Sequence, residues 1–140
     1  MNLEDNLEII EKSINELEGK GISKKPEFDS FTVLKTFELT NKKIKLLKPE
    51  DLRLLIGQNI GLKYLVPIAI EILKENPLIE TDYFEGDLLI KVLNIQESFW
   101  DTYPGLKSQI LQLFKNNLID YNSLDEDTKS EIYSLYEKLE

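Results

Sequence analysis

The chain contains neither cysteine nor histidine. Without cysteine it can form no disulfide and no thiolate metal site, and this absence fits a reducing compartment. Without histidine it lacks the commonest general base, the commonest transition-metal ligand and the usual partner of a serine nucleophile. The composition therefore predicts a protein that is not an enzyme and that holds no metal or other cofactor.

Long apolar runs are also missing. No run approaches the ~20 residues needed to span a bilayer. Residues 1–17 alternate acidic with aliphatic side chains, whereas a signal peptide has a basic region followed by an apolar one. We therefore expect a cytoplasmic protein that does not bind a membrane.

The length and composition fit a globular chain. Its 140 residues suit one domain, and 41% hydrophobic with 31% charged residues favours a folded protein over a disordered one. Helical periodicity and helix caps recur along the chain, while alternating runs and glycine-marked hairpins do not. The sequence predicts an all-α protein, a single compact domain of six or seven helices spanning residues 1–140.

Three helices are predicted in the first half of the chain. A stripe of aliphatic residues at spacings of four and three predicts one continuous helix at the start: Leu3, Leu7, Ile10, Ile14 and Leu17. The Gly, Pro and Lys content of residues 19–30 predicts a flexible connector. Ser30 is placed to cap a short helix to about Leu39, although the β-branched Thr32, Val33 and Thr36 also suit a strand. Pro49 opens another helix to about Gln58.

Four more helices are predicted after Gly61. An almost wholly apolar helix runs from Leu62 to about Glu75, and we expect it at the centre of the fold. A second begins near Asp87 and a third at Pro104. The last follows Asp125, whose carboxylate suits an N-cap.

The net charge of −9 is concentrated at the two ends of the chain. Residues 1–18 carry six acidic residues and one lysine, and residues 120–140 carry seven acidic residues and two lysines. Such a field repels nucleic-acid phosphates and attracts basic proteins. A basic protein partner is therefore expected.

One stretch carries a family resemblance. Between Leu46 and Trp100 the strings PEDLRLLIGQ, IGL, YLVP, EILKENPL and GDLL follow in that order. With this spacing the stretch closely resembles a family of immunity proteins of contact-dependent growth inhibition (CDI) systems. The resemblance implies a protein that binds the C-terminal domain of a cognate toxin in the cytoplasm and blocks it. Many such toxins resemble nucleases, so a nuclease is the expected partner.

The motifs of this stretch are predicted to be structural. The leucines and isoleucines suit a core, and the glycines suit helix breaks. Arg53, the only arginine, is expected to contact a nearby acid and not a ligand. The full predicted structural set is Pro49, Asp51, Arg53, Gly57, Gly61, Pro67, Asn76, Pro77, Gly86 and Asp87.

Toxin binding is assigned to two acidic segments. The loop at residues 80–85 places two aromatic residues among acids, the composition of an interface hot spot with a charged rim. The alternative is that both rings pack inward and the acids are merely solvated. The predicted toxin-binding residues are Glu80, Asp82, Tyr83, Phe84 and Glu85 in the loop, and Asp125, Glu126 and Asp127 at the final helix.

Other features of the sequence suggest RNA binding, calcium binding or a homodimer. Eight lysines between Lys20 and Lys48, with phenylalanines among them, suggest RNA binding, although lysines solvated beside core phenylalanines explain them more simply. The loop around Asp82 lacks the alternating ligands and the closing glutamate of a calcium loop. A monomer is expected, with a weak homodimer through the first helix as the alternative.

Overall fold

The computed structural model describes residues 3–20 and 30–140. Within these ranges the chain forms nine α-helices and two short 3-10 helices, with two isolated β-bridges and no strand. The all-α prediction is confirmed. Two of the nine helices are short, of four and six residues, and these account for the excess over the six or seven predicted. Most of the predicted connector at 19–30 lies outside the described residues.

The chain divides into two compact units, Met1–Asp51 and Leu52–Glu140. A single domain over residues 1–140 stays a prediction. The helices of the first unit are α1 (Leu3–Ile10), α2 (Ile14–Leu17), α3 (Phe31–Thr40) and the 3-10 helix η1 (Ile44–Leu46), and α4 (Pro49–Gly57) contains the boundary. The second unit holds α5 (Leu62–Glu75), α6 (Asp87–Leu93), α7 (Glu97–Thr102), α8 (Pro104–Lys115), η2 (Tyr121–Ser123) and α9 (Glu126–Leu139).

The prediction of one continuous helix at the start is wrong, because Ser13 separates α1 from α2. The Ser13 hydroxyl accepts a hydrogen bond from the Glu16 backbone N–H at 3.1 Å, and the Glu16 carboxylate accepts one from the Ser13 N–H at 3.2 Å. This capping box starts a new helix. The Lys12 carbonyl, freed from the helical ladder, accepts from the Ile44 N–H at 3.0 Å. An aliphatic stripe with helical spacing therefore did not require a continuous helix.

Helix α3 begins where the sequence predicts. Ser30 caps it by accepting a hydrogen bond from the Val33 N–H at 3.1 Å. Its phenylalanines were expected in the core, but Phe31 is 78% exposed and Phe37 is half-buried. The buried residues at the end of the helix are Leu39 and Thr40.

Helix α5 is the main buried helix of the second unit, as its composition predicts. Leu65, Val66, Ala69, Ile70 and Leu73 are fully buried, and the helix packs against α6 and α8. Pro67 lies in its second turn, where the ring removes one backbone donor. None of the helices within residues 3–20 and 30–140 has the length and apolar character needed to cross a membrane.

Helices α6, α8 and α9 begin at the residues that the sequence marks, whereas α7 was not predicted as a separate helix. Pro104 is the first residue of α8, and the Asp125 carboxylate accepts from the Thr128 N–H at 2.7 Å to cap α9. Helices α6 and α9 pack together through their apolar faces, with Ile132 of α9 fully buried. This packing brings the loop before α6 next to the C-terminal helix.

Candidate protein-docking surface

The loop between α5 and α6 is tightly closed. The backbones of Glu80 and Glu85 form an antiparallel bridge, and the Gly86 N–H donates to the Leu78 carbonyl at 3.1 Å. Gly86 adopts φ of +89°, a left-handed conformation that side chains other than glycine rarely adopt. The chain therefore reverses within a few residues, and residues 82–84 form its turn.

The buried carboxylate of Asp87 organises this turn. It accepts hydrogen bonds from the Thr81 N–H at 2.9 Å, the Thr81 hydroxyl at 2.8 Å, and the N–H groups of Asp82 and Tyr83 at 3.1 and 3.0 Å. Burial alone would raise the pKa of Asp87, but these hydrogen bonds outweigh it and hold the pKa below its ordinary value. The charged carboxylate is thus part of the fold of the loop.

Arg53 holds the loop from the other side. Its Nη2 donates to Asp82 Oδ2 at 3.2 Å, and its guanidinium carbon lies 4.5 Å from the Tyr83 ring centroid. The arginine side chain is 9% exposed and that of Asp82 is 48% exposed. The expected contact between Arg53 and a nearby acid is therefore present, and the acid belongs to the predicted docking loop.

Both aromatic residues of the loop face solvent. Tyr83 is 71% exposed and Phe84 is 41% exposed, although both sit in a loop that is closely held by hydrogen bonds. The neighbouring acids Glu80, Asp82 and Glu85 are exposed as well. Of the two alternatives left by the sequence, the structure shows rings at the surface and not in the core.

The loop is joined to the second predicted acidic segment. The Ser123 hydroxyl, at the end of η2, donates to Glu85 Oε2 at 2.7 Å. Two residues later Asp125 caps α9, and the hydrogen bonds from Thr128 hold the pKa of Asp125 below its ordinary value. Glu126 and Asp127 follow in the first turn of α9 and are exposed. The structure thus places the two predicted acidic segments side by side.

Two further residues of this face, Leu118 and Asp120, were not among the predicted binding residues. A cleft of about 500 Å³ lies between the two segments and is lined by Pro77, Glu80, Glu85, Leu118 and Asp120, among others. Leu118 is exposed and adds an apolar side chain to the rim of this cleft. No periodic pattern marks these residues, because Leu118 and Asp120 lie between helices.

A tyrosine pair lies next to the same segment. Tyr121 of η2 stacks on the exposed Tyr133 of α9 with ring centroids 4.9 Å apart. Burial, together with the neighbouring Tyr133, raises the pKa of Tyr121 to about 12. Tyr121 therefore stays neutral, and the stacked pair adds aromatic surface beside the acids.

The charge of this face has one sign. Residues 76–87 and 116–128 carry eight acidic residues and no lysine or arginine. We call residues 80–85 and 118–127, with the cleft between them, the docking surface. An acidic surface of this kind repels polyanions and attracts cationic groups.

Most of the predicted structural motif residues lie at helix boundaries or in the loop, whereas Arg53 and Pro67 lie inside α4 and α5. Asp51 Oδ2 accepts from the Lys48 N–H at 2.9 Å and so caps the start of α4. Gly61 precedes α5 with φ of +63°, and Asn76 ends that helix. The other members occupy equivalent places: Pro49 and Gly57 at the two ends of α4, Pro77 after α5, and Gly86 before α6.

Four of the six described lysines in the lysine-rich stretch form ion pairs, two of them with the same glutamate. Lys35 pairs with Glu38, Lys20 with Glu18, and both Lys43 and Lys45 with Glu11. Lys24, Lys25 and Phe28 lie outside the described residues. Across the described ranges no group of acidic side chains is arranged to hold a metal ion.

Comparison with known families decides which class of protein this is. The family described as CDI immunity proteins matches residues 16–110, about two thirds of the chain. The chain belongs to this family. No curated protein and no solved structure matches the chain.

The matched region includes part of the docking surface. It contains the whole stretch 46–100 that carries the resemblance and extends it at both ends. The loop at residues 80–85 therefore lies inside the family region, whereas η2 and α9 lie beyond it. An immunity protein acts against a CDI toxin, so a protein partner belongs to the role of this family.

Proposed function

We propose that this CDI immunity protein neutralises its toxin by binding the toxin's C-terminal domain through the docking surface, without catalysing a reaction. The observation that carries this proposal is the exposure of Tyr83 and Phe84 on a loop that Asp87 and Arg53 hold in place. Exposed aromatic residues within a charged rim are typical of interface hot spots.

Rigidity of the loop supports the same proposal. An interface residue that is already ordered loses less conformational entropy on binding than a mobile one. The four hydrogen bonds to Asp87 and the contacts of Arg53 order the backbone that carries the two rings. Tyr83 can therefore act as an anchor at small entropic cost.

The chemistry of the partner follows from the charge of the docking surface. An acidic face speeds association with a basic domain and disfavours wrong partners. A nuclease presents basic residues to its polyanionic substrate, so a nuclease toxin is the partner that this face suits best. We place this interaction in the cytoplasm, where such a toxin meets nucleic acid.

The test compares two triple variants against the toxin domain encoded by the large adhesin-type gene that we expect immediately upstream. The docking variant combines Glu80→Lys, Tyr83→Ala and Glu126→Lys. The control variant combines Glu8→Lys, Phe31→Ala and Asp101→Lys, which make the same change of charge and remove one exposed aromatic ring elsewhere. We expect the docking variant to lose toxin binding and protection of cells while the control keeps both. Unchanged affinity in a folded docking variant would place the interface elsewhere.

Absence of catalysis is tested separately. The purified chain should show no nuclease, hydrolase or transferase turnover, because it lacks histidine and cysteine and its family acts by immunity. Turnover that survives repurification and disappears on substitution of one polar residue would contradict this part of the proposal.

A further inference from the structure

The cleft of the docking surface combines an apolar lining with an acidic one. Its volume of about 500 Å³ is large enough to admit a long side chain from a partner. The lining includes three apolar and three acidic residues: Pro77, Leu118, Ile119, Glu80, Glu85 and Asp120. Among the described residues that line the cleft there is no lysine or arginine. The cleft therefore offers apolar surface and negative charge without a cation of its own.

Two of these acids are held opposite each other by the backbone. Glu80 and Glu85 form an antiparallel bridge. Residues directly opposite in such a bridge carry their side chains on the same face, with Cβ atoms about 5 Å apart, and like charges at these positions are destabilising. The Ser123 hydroxyl donates to Glu85 at 2.7 Å, but it brings no charge. None of the ion pairs within residues 3–20 and 30–140 includes either glutamate.

The apolar lining indicates which kind of cation fits. A lysine or arginine side chain has an aliphatic stem that covers apolar surface and a charged end that stays among polar groups. Leu118, which is 49% exposed, provides the apolar surface for such a stem. The ammonium and the guanidinium each have several donors, so either can bind more than one carboxylate.

We propose that the cleft receives one lysine or arginine side chain of the toxin domain, with its stem against Leu118 and its charged end between Glu80 and Glu85. This proposal rests on the proposed function, because it names the toxin group that enters the docking surface. Tyr83 does not line the cleft. The aromatic anchor and the cleft are therefore separate contacts that can be removed one at a time.

The variant Glu80→Gln tests the cleft through two opposite effects. It removes one of the two opposed charges, so the urea concentration at the unfolding midpoint should rise. It also removes a charged contact to the toxin, so the dissociation constant of the complex should rise about tenfold. The control Glu131→Gln, an exposed change on α9 outside the cleft, should leave toxin affinity unchanged and shift the midpoint less. A glutamate that only supports the fold would instead lower the midpoint when replaced.

Small probes test the cleft without the toxin. We would titrate the full chain at constant ionic strength with n-butylguanidinium and n-butylammonium, which imitate arginine and lysine. The methyl resonances of Leu118 and Ile119 report on the cleft. We expect saturable shifts with at least one cation, and the tighter of the two identifies the side chain. The matched control n-butylurea keeps the stem without the charge and should give no saturable shift. Glu80→Gln should weaken binding of the cation, and Glu131→Gln should not.

Three results would overturn the proposal: equal responses to the cations and to n-butylurea, equal effects of the two glutamate variants on binding, or a lower unfolding midpoint in Glu80→Gln. Comparison with Tyr83→Ala separates this failure from that of the proposed function. If Glu80→Gln keeps the wild-type toxin affinity while Tyr83→Ala loses it, the docking surface stands and the cleft proposal fails. If neither change weakens toxin binding, the docking surface itself is wrong.

Discussion

The guanidinium group of Arg53 lies against the ring of Tyr83, with 4.5 Å between its central carbon and the ring centroid. The same guanidinium donates to Asp82, so one buried arginine contacts two consecutive residues of the docking surface. A planar cation suits both contacts, because it stacks on the ring while it donates in its own plane. Tyr83 is thereby exposed to a partner and yet fixed in position.

Replacement of Arg53 by lysine should loosen the docking loop without removing the charge. An ammonium neither stacks like a guanidinium nor offers its in-plane donors, so the free energy of unfolding should fall by about 1 kcal/mol. Amide hydrogen exchange should speed up at residues 81–84. Lys63→Arg, an exposed change in the same unit, is the control. Unchanged exchange in the Arg53→Lys loop would show that Asp87 alone holds it.

Asp87→Asn should destabilise the protein strongly at neutral pH. An amide cannot accept all four hydrogen bonds and adds donors that face other donors, so we expect a loss of about 2 kcal/mol in the free energy of unfolding. Urea unfolding of the wild type and the variant measures the difference.

The same pair of proteins tests the protonation of Asp87. Since its pKa is lowered in the folded state, the carboxylate stabilises the fold above its unfolded pKa of about 4, and this stabilisation disappears as the pH falls through the folded pKa. The stability difference between wild type and Asp87→Asn should therefore be constant from neutral pH to about pH 5 and shrink below about pH 4. A difference that grows in acid would mean that Asp87 is protonated in the native protein.

Two glycine substitutions should have opposite effects. Gly86 has φ of +89° and its added methyl would lie 3.4 Å from Ile132, so Gly86→Ala should cost about 1–2 kcal/mol through backbone strain. Gly105 lies in the first turn of α8 with nothing within 4 Å, so Gly105→Ala should stabilise the protein by about 0.5 kcal/mol. Thermal unfolding of both variants tests this, and an equal loss in both would contradict the strain at Gly86.

Binding kinetics should separate the charges of the docking surface from its aromatic anchor. Charge reversal at Glu80 and Glu126 should slow association about tenfold at low salt and weaken its dependence on salt. Tyr83→Ala should instead speed dissociation, by about tenfold or more, with little change in the association rate. Asp82 and Glu85 stay unchanged in this test, because Arg53 and Ser123 contact them and their reversal would also disturb the loop. Surface plasmon resonance with the toxin domain gives both rates, and an effect of the charges on dissociation alone would contradict the steering role.

The sequence determined where most helices start, because the physical cause is local. Ser30, Pro49, Pro104 and Asp125 act on backbone groups within three residues, so their positions alone predict the starts of α3, α4, α8 and α9. The acidic loop with two aromatic residues was also recognisable from composition. The aliphatic stripe of the first segment led to the wrong prediction of one continuous helix. Its periodicity does not reveal that Ser13 and Glu16 form a capping box that starts a second helix.

Only the tertiary structure decided which distant residues meet. Arg53 contacts an acid 29 residues away and Ser123 reaches Glu85 across 38 residues, and no local pattern encodes either pairing. The exposure of Tyr83 likewise depends on Arg53 and Asp87, which hold the loop so that the ring covers an arginine and not the core. Helical spacing reports which residues share a face, whereas the partner of each face depends on how the helices pack.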